Sequence, residues 1–351
     1  MKITFPYWGN YTVAFELLAK KLNLEVVPPE KTSAKTIERG AKIAPEMYCL
    51  PLKVNLGNFL ESIEKGANTI LMPTASCGSC RLRYYPFVQE KVLKEQEKEV
   101  EFVVFDQTFD IFLKLKKISR ANFLKMIEAT IFTLKTLSII EKLEKEAWYL
   151  RPREIEKGMT DKILIEAMKE MRKINKFVDL LKFEGKFSRE LKKIPIENKE
   201  VPKVGIIGEI FTVSDHSVNY DIERKLGNLG IEVKREMTLL YHLKKKIFLT
   251  DFFIKKKVRS YLESSVGGHG MDAVYEMLKY TKEGFDGIIQ ILPSYCMPET
   301  TVRPILEKIH QETGIPFLSL SIDEHAGEAG ILTRIEAFVD VVFNYYKKKE
   351  L

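Results

Sequence analysis

The reading of the fold turns on Thr69-Ile-Leu-Met-Pro-Thr-Ala-Ser-Cys-Gly-Ser-Cys-Arg81. Its apolar run, Ile70 to Met72, has the length and composition of a buried strand. The run ends at Pro73 and opens into a small-residue loop carrying Cys77 and Cys80. A second stretch, Gly287-Ile-Ile-Gln-Ile-Leu-Pro-Ser-Tyr-Cys-Met-Pro298, has the same plan: strand, Pro293, then Cys296. The approaches also correspond, Glu64-Lys-Gly-Ala-Asn68 in one and Lys282-Glu-Gly-Phe-Asp286 in the other. In open α/β sheets ligands bind beyond the carboxyl ends of the strands. Two strands that both deliver thiols there point to one shared object, a metal.

Working outward, residues 2–5 read as a strand, Tyr11 to Leu22 as an amphipathic helix and Leu24 to Val27 as a strand stopped by Pro28-Pro29. Thr32 to Arg39 reads as a short helix closed by Gly40. The Pro-bracketed loop Ala44-Pro-Glu-Met-Tyr-Cys-Leu-Pro51 precedes a helix over Leu52 to Lys65. After the Cys77/Cys80 loop come a helix from Tyr84 to Glu97 and a strand at Glu101 to Phe105. From Ile118 to Leu191 strand signals vanish, and apolar residues recur at helical spacing among lysines and glutamates. A new α/β unit starts at Pro202: strands at Lys203 to Ile207 and Ile231 to Arg235 flank a helix at Tyr220 to Leu229. A basic aromatic segment without an assigned element follows. Gly267-Gly-His-Gly270 then opens a helix to Thr281, and helices over Pro298 to Glu312 and Ile331 to Tyr346 flank a strand at Pro316 to Ser321.

The expected fold class is therefore α/β: two Rossmann-like parallel-sheet domains facing a cleft, with a helical middle segment. The expected boundaries are 1–117 for the domain with Cys49, Cys77 and Cys80, 118–200 for the helical insertion, and 201–351 for the domain with Cys296.

With 45% hydrophobic and 30% charged residues, the chain is a globular protein rather than a disordered one. Its net charge of +7 comes from interspersed charges, 56 basic against 49 acidic, so no nucleic-acid partner is expected. Abundant lysine, glutamate and isoleucine with scarce glutamine point to a thermophile. The N-terminus enters a strand without a signal-peptide pattern, and no run of about 18 apolar residues occurs, so the expectation is a cytoplasmic protein with no membrane span.

The four cysteines, Cys49, Cys77, Cys80 and Cys296, suit metal binding or redox chemistry better than structural disulfides in such a chain. The plain alternative is that they are buried apolar filler. A Cys-x-x-Cys pair serves thioredoxin-type redox, zinc and iron–sulfur sites alike. A cluster tolerates widely spaced ligands; Arg81 and Arg83 would offset its negative charge, and Gly78 could offer a backbone N–H to its sulfurs. Glu209 past a strand end and His269 between glycines are further polar candidates. Asp323, Glu324, His325 and Glu328 before a helix also suit the helix dipole for structural reasons alone. Neither a Gly-x-x-x-x-Gly-Lys-[Ser/Thr] loop nor a Gly-x-Gly-x-x-Gly is present, so the chain is not expected to bind ATP itself.

Six ordered stretches carry a family resemblance: Cys49-Leu-Pro-Leu-Lys-Val-Asn-Leu-Gly-Asn58, Cys80-Arg-Leu-Arg-Tyr-Tyr85, Gly208-Glu-Ile-Phe211, Gly267-Gly-His-Gly270, Cys296-Met-Pro-Glu299 and Asp323-Glu-His-Ala-Gly-Glu-Ala-Gly330. Over nearly the whole chain, most weakly in the helical middle, the sequence resembles the 2-hydroxyacyl-CoA dehydratase-like iron–sulfur proteins, in particular the short CoA-protein activase or activase-related branch. The resemblance implies two α/β domains gripping an oxygen-sensitive [4Fe-4S] cluster through Cys49, Cys80 and Cys296, in an anaerobe. It also implies a partner: a separate ATP-hydrolysing activator with its own iron–sulfur cluster. The family's loop often reads Gly-Pro-Cys-Arg where this chain has Gly78-Ser79-Cys80-Arg81, so Cys77 is an addition, either a fourth ligand or a spectator. Four cysteines fall short of what two linked cubanes need.

The leading expectation is a dehydratase-like component, a lyase or reductase acting on a small substrate such as an acyl-CoA thioester. His269, Glu299 and Glu209 are its substrate-side candidates, and a homo-oligomer stays open. A non-catalytic electron carrier or assembly partner is the alternative, and a metal-free dithiol protein built on Cys77 and Cys80 the second.

Overall fold

The computed structural model describes residues 1–74, 80–106, 109–247 and 250–350. It contains two four-stranded, all-parallel sheets with the same plan. The first consists of β1 (Lys2–Thr4), β2 (Glu25–Val26), β3 (Thr69–Thr74) and β4 (Glu101–Asp106), in the order β2-β1-β3-β4. The second consists of β5 (Lys203–Gly208), β6 (Glu232–Arg235), β7 (Gly287–Pro293) and β8 (Phe317–Ile322), in the order β6-β5-β7-β8. In each, chain order reverses between the two central strands, the switch point at which such sheets bind ligands. The α/β expectation with two parallel sheets is what the structure has. Every residue of β7 is buried, as a central parallel strand covered on both faces requires.

Helices α1 (Thr12–Lys21), α2 (Ala34–Ile43), α3 (Leu50–Glu64) and α4 (Tyr85–Glu95) serve the first sheet. Between the sheets run α5 (Phe109–Ser119), α6 (Phe123–Leu150), α7 (Met159–Met171) and α8 (Phe177–Lys192). The second sheet carries α9 (Ile210–Ser214), α10 (Ile222–Asn228), α11 (Leu239–Ile247), α12 (Asp251–Val258), α13 (Gly270–Lys282), α14 (Met297–Thr313) and α15 (Glu328–Glu350). Among the described residues no helix is long and apolar enough to cross a membrane.

Two readings need correction. Gly40 does not close its helix, because α2 runs through it to Ile43. A Cβ there would lie 1.8 Å from the Lys53 carbonyl oxygen, and one at Gly57 1.9 Å from that of Thr36. These glycines let α2 and α3 cross backbone to backbone; they are packing residues, not stops. The unassigned basic aromatic segment holds α11 and α12, both short and each carrying a run of three lysines. Leu239, with Leu240 and Leu243, packs α11 on the core formed with α6, α7 and α8.

The two sheets are bound through shared cores. Leu50 and Val54 of α3 and Trp148 of α6 lie in the core of the second sheet, with Val204, Ile289 and Leu320. Cys296 lies in a cluster of the first half, with Cys49, Leu52, Phe59 and Tyr85.

Candidate functional site

Each described cysteine stands at the N-cap of a helical element. Cys49 precedes α3, Cys80 precedes a 3₁₀ turn at Arg81–Tyr84 that leads into α4, and Cys296 precedes α14. All three have extended backbone, and none caps its helix with its side chain. Pro51 and Pro298 sit in the first turns of α3 and α14, where a missing N–H costs nothing. The free N–H groups and the positive dipole ends of these helices suit an anionic group.

The three thiols meet between the halves. Cys49 and Cys296 share one buried cluster, and Cys49 interacts electrostatically with both Cys80 and Cys296. Arg81 ties the three loops together. Its guanidinium donates to the Met47 carbonyl at 2.6 Å and to the Tyr295 carbonyl, just ahead of Cys49 and Cys296, and stacks over the Tyr48 ring at 5.2 Å. Met47 and Tyr295 both have φ of 63°, a left-handed conformation that is costly for side chains of this kind. Their carbonyls are thereby presented to one cation. Lys53 adds a second tie, pairing with Glu324 across the halves under the Tyr295 ring.

Burial holds these thiols neutral. It pushes Cys49 up to about 11, against the opposing hydrogen bond with the Tyr85 hydroxyl. Burial, then the Glu299 and Glu209 carboxylates, push Cys296 further up, and burial raises Cys80. Thiols held this way are poor nucleophiles. Among the described residues no group of three His, Cys, Asp or Glu side chains is placed to hold a single metal ion.

The acids take distinct positions. Half-buried Glu209 follows β5 and caps α9, accepting from the Phe211 and Thr212 amides at 2.9 Å and the Thr212 hydroxyl at 2.8 Å. Glu299, 1% exposed, accepts from Gln290 Nε2 at 3.0 Å through Oε2, while its Oε1 has no partner. Burial pushes its carboxyl up to about 8, so it carries a proton at neutral pH. His269 precedes α13, with its Nε2 3.4 Å from Nδ1 of His242 on α11. Gly268, at φ +49°, brings that loop onto α14: a Cβ there would lie 2.9 Å from Pro298 Cγ and 3.9 Å from Cys80 Cβ.

The structure thus brings Cys49, Cys80, Cys296, Arg81, Glu209 and Glu299 to one place, with the His269 loop beside them. Cys77 and Gly78 lie outside the described residues. Asp323, Glu324, His325 and Glu328 divide otherwise: Glu324 joins the halves, Glu328 pairs with Lys225 at 2.7 Å, and Asp323 accepts from the His325 amide at 2.9 Å. Tyr85, Gln290, Lys53 and His242 were not legible as site residues. Tyr85 and Lys53 stood within the family stretches and Gln290 within the Cys296 strand, but their contacts with Cys49, Glu324 and Glu299 join segments that the sequence does not bring together.

Residues 3–238 match the family described as CoA enzyme activase uncharacterised domain, and residues 142–342 match 2-hydroxyglutaryl-CoA dehydratase, D-component. Each match covers more than half of the chain, and together they take in both sheets. No curated protein matches the chain.

Proposed function

The chain belongs to the 2-hydroxyacyl-CoA dehydratase-like, CoA enzyme activase family, and on that premise we propose that it is a cytoplasmic, cluster-bearing dehydratase-type component. The observation that carries the proposal is the meeting of three thiols, two buried and that of Cys80 half-buried, at the starts of three helical elements around Arg81. The donor set fits the group: thiolates are the ligands of a [4Fe-4S] cluster, and helix ends with a guanidinium offset its negative charge. Bound there, the cluster would supply low-potential one-electron chemistry for reduction or radical dehydration.

The chain's own residues then have defined tasks. Cys49, Cys80 and Cys296 release their protons to become ligands, so loading is favoured as pH rises. Tyr85 donates its hydroxyl to Cys49 and fixes that side chain. Arg81 keeps the loops from both halves in register. Glu299, protonated at neutral pH, is a proton donor beside Cys296. Cys77 is a candidate fourth ligand. The partner is an ATP-hydrolysing activator with its own iron–sulfur cluster, and the substrate is a small molecule such as an acyl-CoA thioester.

The test is iron and acid-labile sulfide on anaerobically purified protein, with EPR after dithionite reduction. About four irons and four sulfides per chain are expected. Cys49→Ser, Cys80→Ser or Cys296→Ser each abolishes the signal, whereas Cys77→Ser does so only if Cys77 ligates. Zinc without sulfide, or no metal in folded protein, ends the proposal.

A further inference from the structure

One face of α13 carries His269, Asp272, Glu276 and Lys279 at helical spacing, turned towards α11 and the strand-end residues before it. Three of the four meet a partner there. His269 stands against His242, Asp272 accepts from Lys245 at 2.6 Å, and Lys279 pairs with Glu236 at 2.7 Å. Glu276 does not. It is completely buried, and neither carboxylate oxygen has a hydrogen-bond partner. Glu276 lines a cavity of about 310 Å³ together with the Glu236–Lys279 pair, Tyr241, Tyr275, Phe253 and the exposed Lys257.

We infer that this cavity binds a small organic ammonium ion, whose charge completes Glu276 as Lys245 completes Asp272 and Lys279 completes Glu236. The sign follows from the surroundings. Burial first, and then Asp272, Glu236 and Glu299, act against the ionised form of Glu276, and only Lys279 favours it. An arriving anion would meet the carboxyl groups of Glu236 and Glu276 in the lining, with Asp272 beside them, whereas a cation gains from each. The walls agree with this. Lys257 already holds its ammonium 5.2 Å from the centre of the Tyr275 ring, so this aromatic surface accepts a cation. Lys257 is exposed, which leaves it free to withdraw. The volume is at the lower end of ligand pockets, about 300–1,000 Å³, and suits a short alkylamine rather than a nucleotide-bearing thioester. The inference does not depend on the cluster.

The test is saturation-transfer NMR and thermal shift on the full chain with n-butylammonium, against butyrate and 1-butanol as anionic and neutral analogues. Saturable binding of the ammonium ion alone is expected, with a rise in Tm. In Glu276→Gln the affinity should fall about tenfold, while the unliganded melting temperature stays at or above the wild-type value, proving the variant folded. Equal affinity in wild type and Glu276→Gln overturns the inference. So does preferential binding of butyrate, which makes the groove an anion site of Lys257 and Lys279, and so does the absence of ammonium binding to wild type.

Discussion

Two buried polar regions of the second half treat ionisable groups in opposite ways. At the end of β6, Arg235 is 1% exposed, and each of its three guanidinium nitrogens has a partner. Nε donates to Glu223 at 2.7 Å, one terminal nitrogen to the Met237 carbonyl at 2.6 Å, and the other to Glu144 at 3.4 Å. Glu223 also accepts from the Trp148 indole at 2.7 Å, and Glu144 from the Asn10 amide at 2.8 Å. Segments from the N-terminus, α6, α10 and β6 thus meet in one satisfied network. Beside α13, Glu276 has no partner and Asp272 has one lysine that it shares with Asp251. Satisfied buried charges specify a joint; unsatisfied ones mark where the molecule awaits something else.

The largest effect should come from breaking the joint. Arg235→Met leaves Glu223 and Glu144 buried without their cation and should cost about 3–5 kcal/mol, read by denaturant unfolding. Adding Glu223→Gln should recover part of this, because one stranded charge goes. A loss under about 1 kcal/mol would show that the network is wet and remove the contrast.

Acidity should separate the two regions next. Burial tends to raise the Glu223 carboxyl, but Arg235 and His216 outweigh it and hold it well below the usual range. Its stability contribution is complete above the unfolded carboxyl value and is lost as pH falls. Asp272 is the reverse: burial raises it to about 6 despite Lys245. The folded state then holds a proton that the unfolded state releases, so stability declines as pH rises from about 4 to 6, by at most about 3 kcal/mol. Asp272→Asn should flatten that decline in urea titrations across this range, and Glu223→Gln should flatten the acid limb instead. Identical slopes in wild type and Asp272→Asn would refute the assignment.

Much of the fold was legible because parallel strands buried on both faces leave continuous apolar runs. Ile70 to Met72 and Ile288 to Leu292 could be read without any partner, and their equivalent loops located the cleft. Strand ends and a proline-bracketed turn drew attention to Cys49, Cys77, Cys80 and Cys296 alike, while the set of Cys49, Cys80 and Cys296 came from the family resemblance. Gly40 misled because a glycine inside a helix reads as a stop until a second helix is seen crossing it. The Arg235 network and the α11–α13 groove were illegible for a common reason. Arg235 meets Glu144 across 91 residues, and Lys245 meets Asp272 across 27, so nothing local distinguishes them from surface charge.

The seam around the thiols tests the comparison at intermediate size. Arg81→Ala removes the cation shared by the Met47 and Tyr295 carbonyls and should cost about 1–2 kcal/mol. Arg81→Lys should restore only part of it, because an ammonium cannot span both carbonyls in the guanidinium plane. Full rescue by lysine would mean that charge, not the fork, holds the seam.

The smallest effect is the most discriminating, because it reverses sign. Glu276 and Glu223 are the same residue type, both nearly or wholly removed from water, on helices of the same half. Replacing Glu223 with leucine strands Arg235 and should destabilise by several kcal/mol. Replacing Glu276 with leucine strands nothing, since neither of its oxygens is bonded, and removes the cost of a buried polar group. The unliganded protein should therefore gain about 1 kcal/mol. Saturating n-butylammonium should erase that gain by stabilising only the wild type. If Glu276→Leu instead loses stability as Glu223→Leu does, the two regions are of one kind and Glu276 has a structural partner.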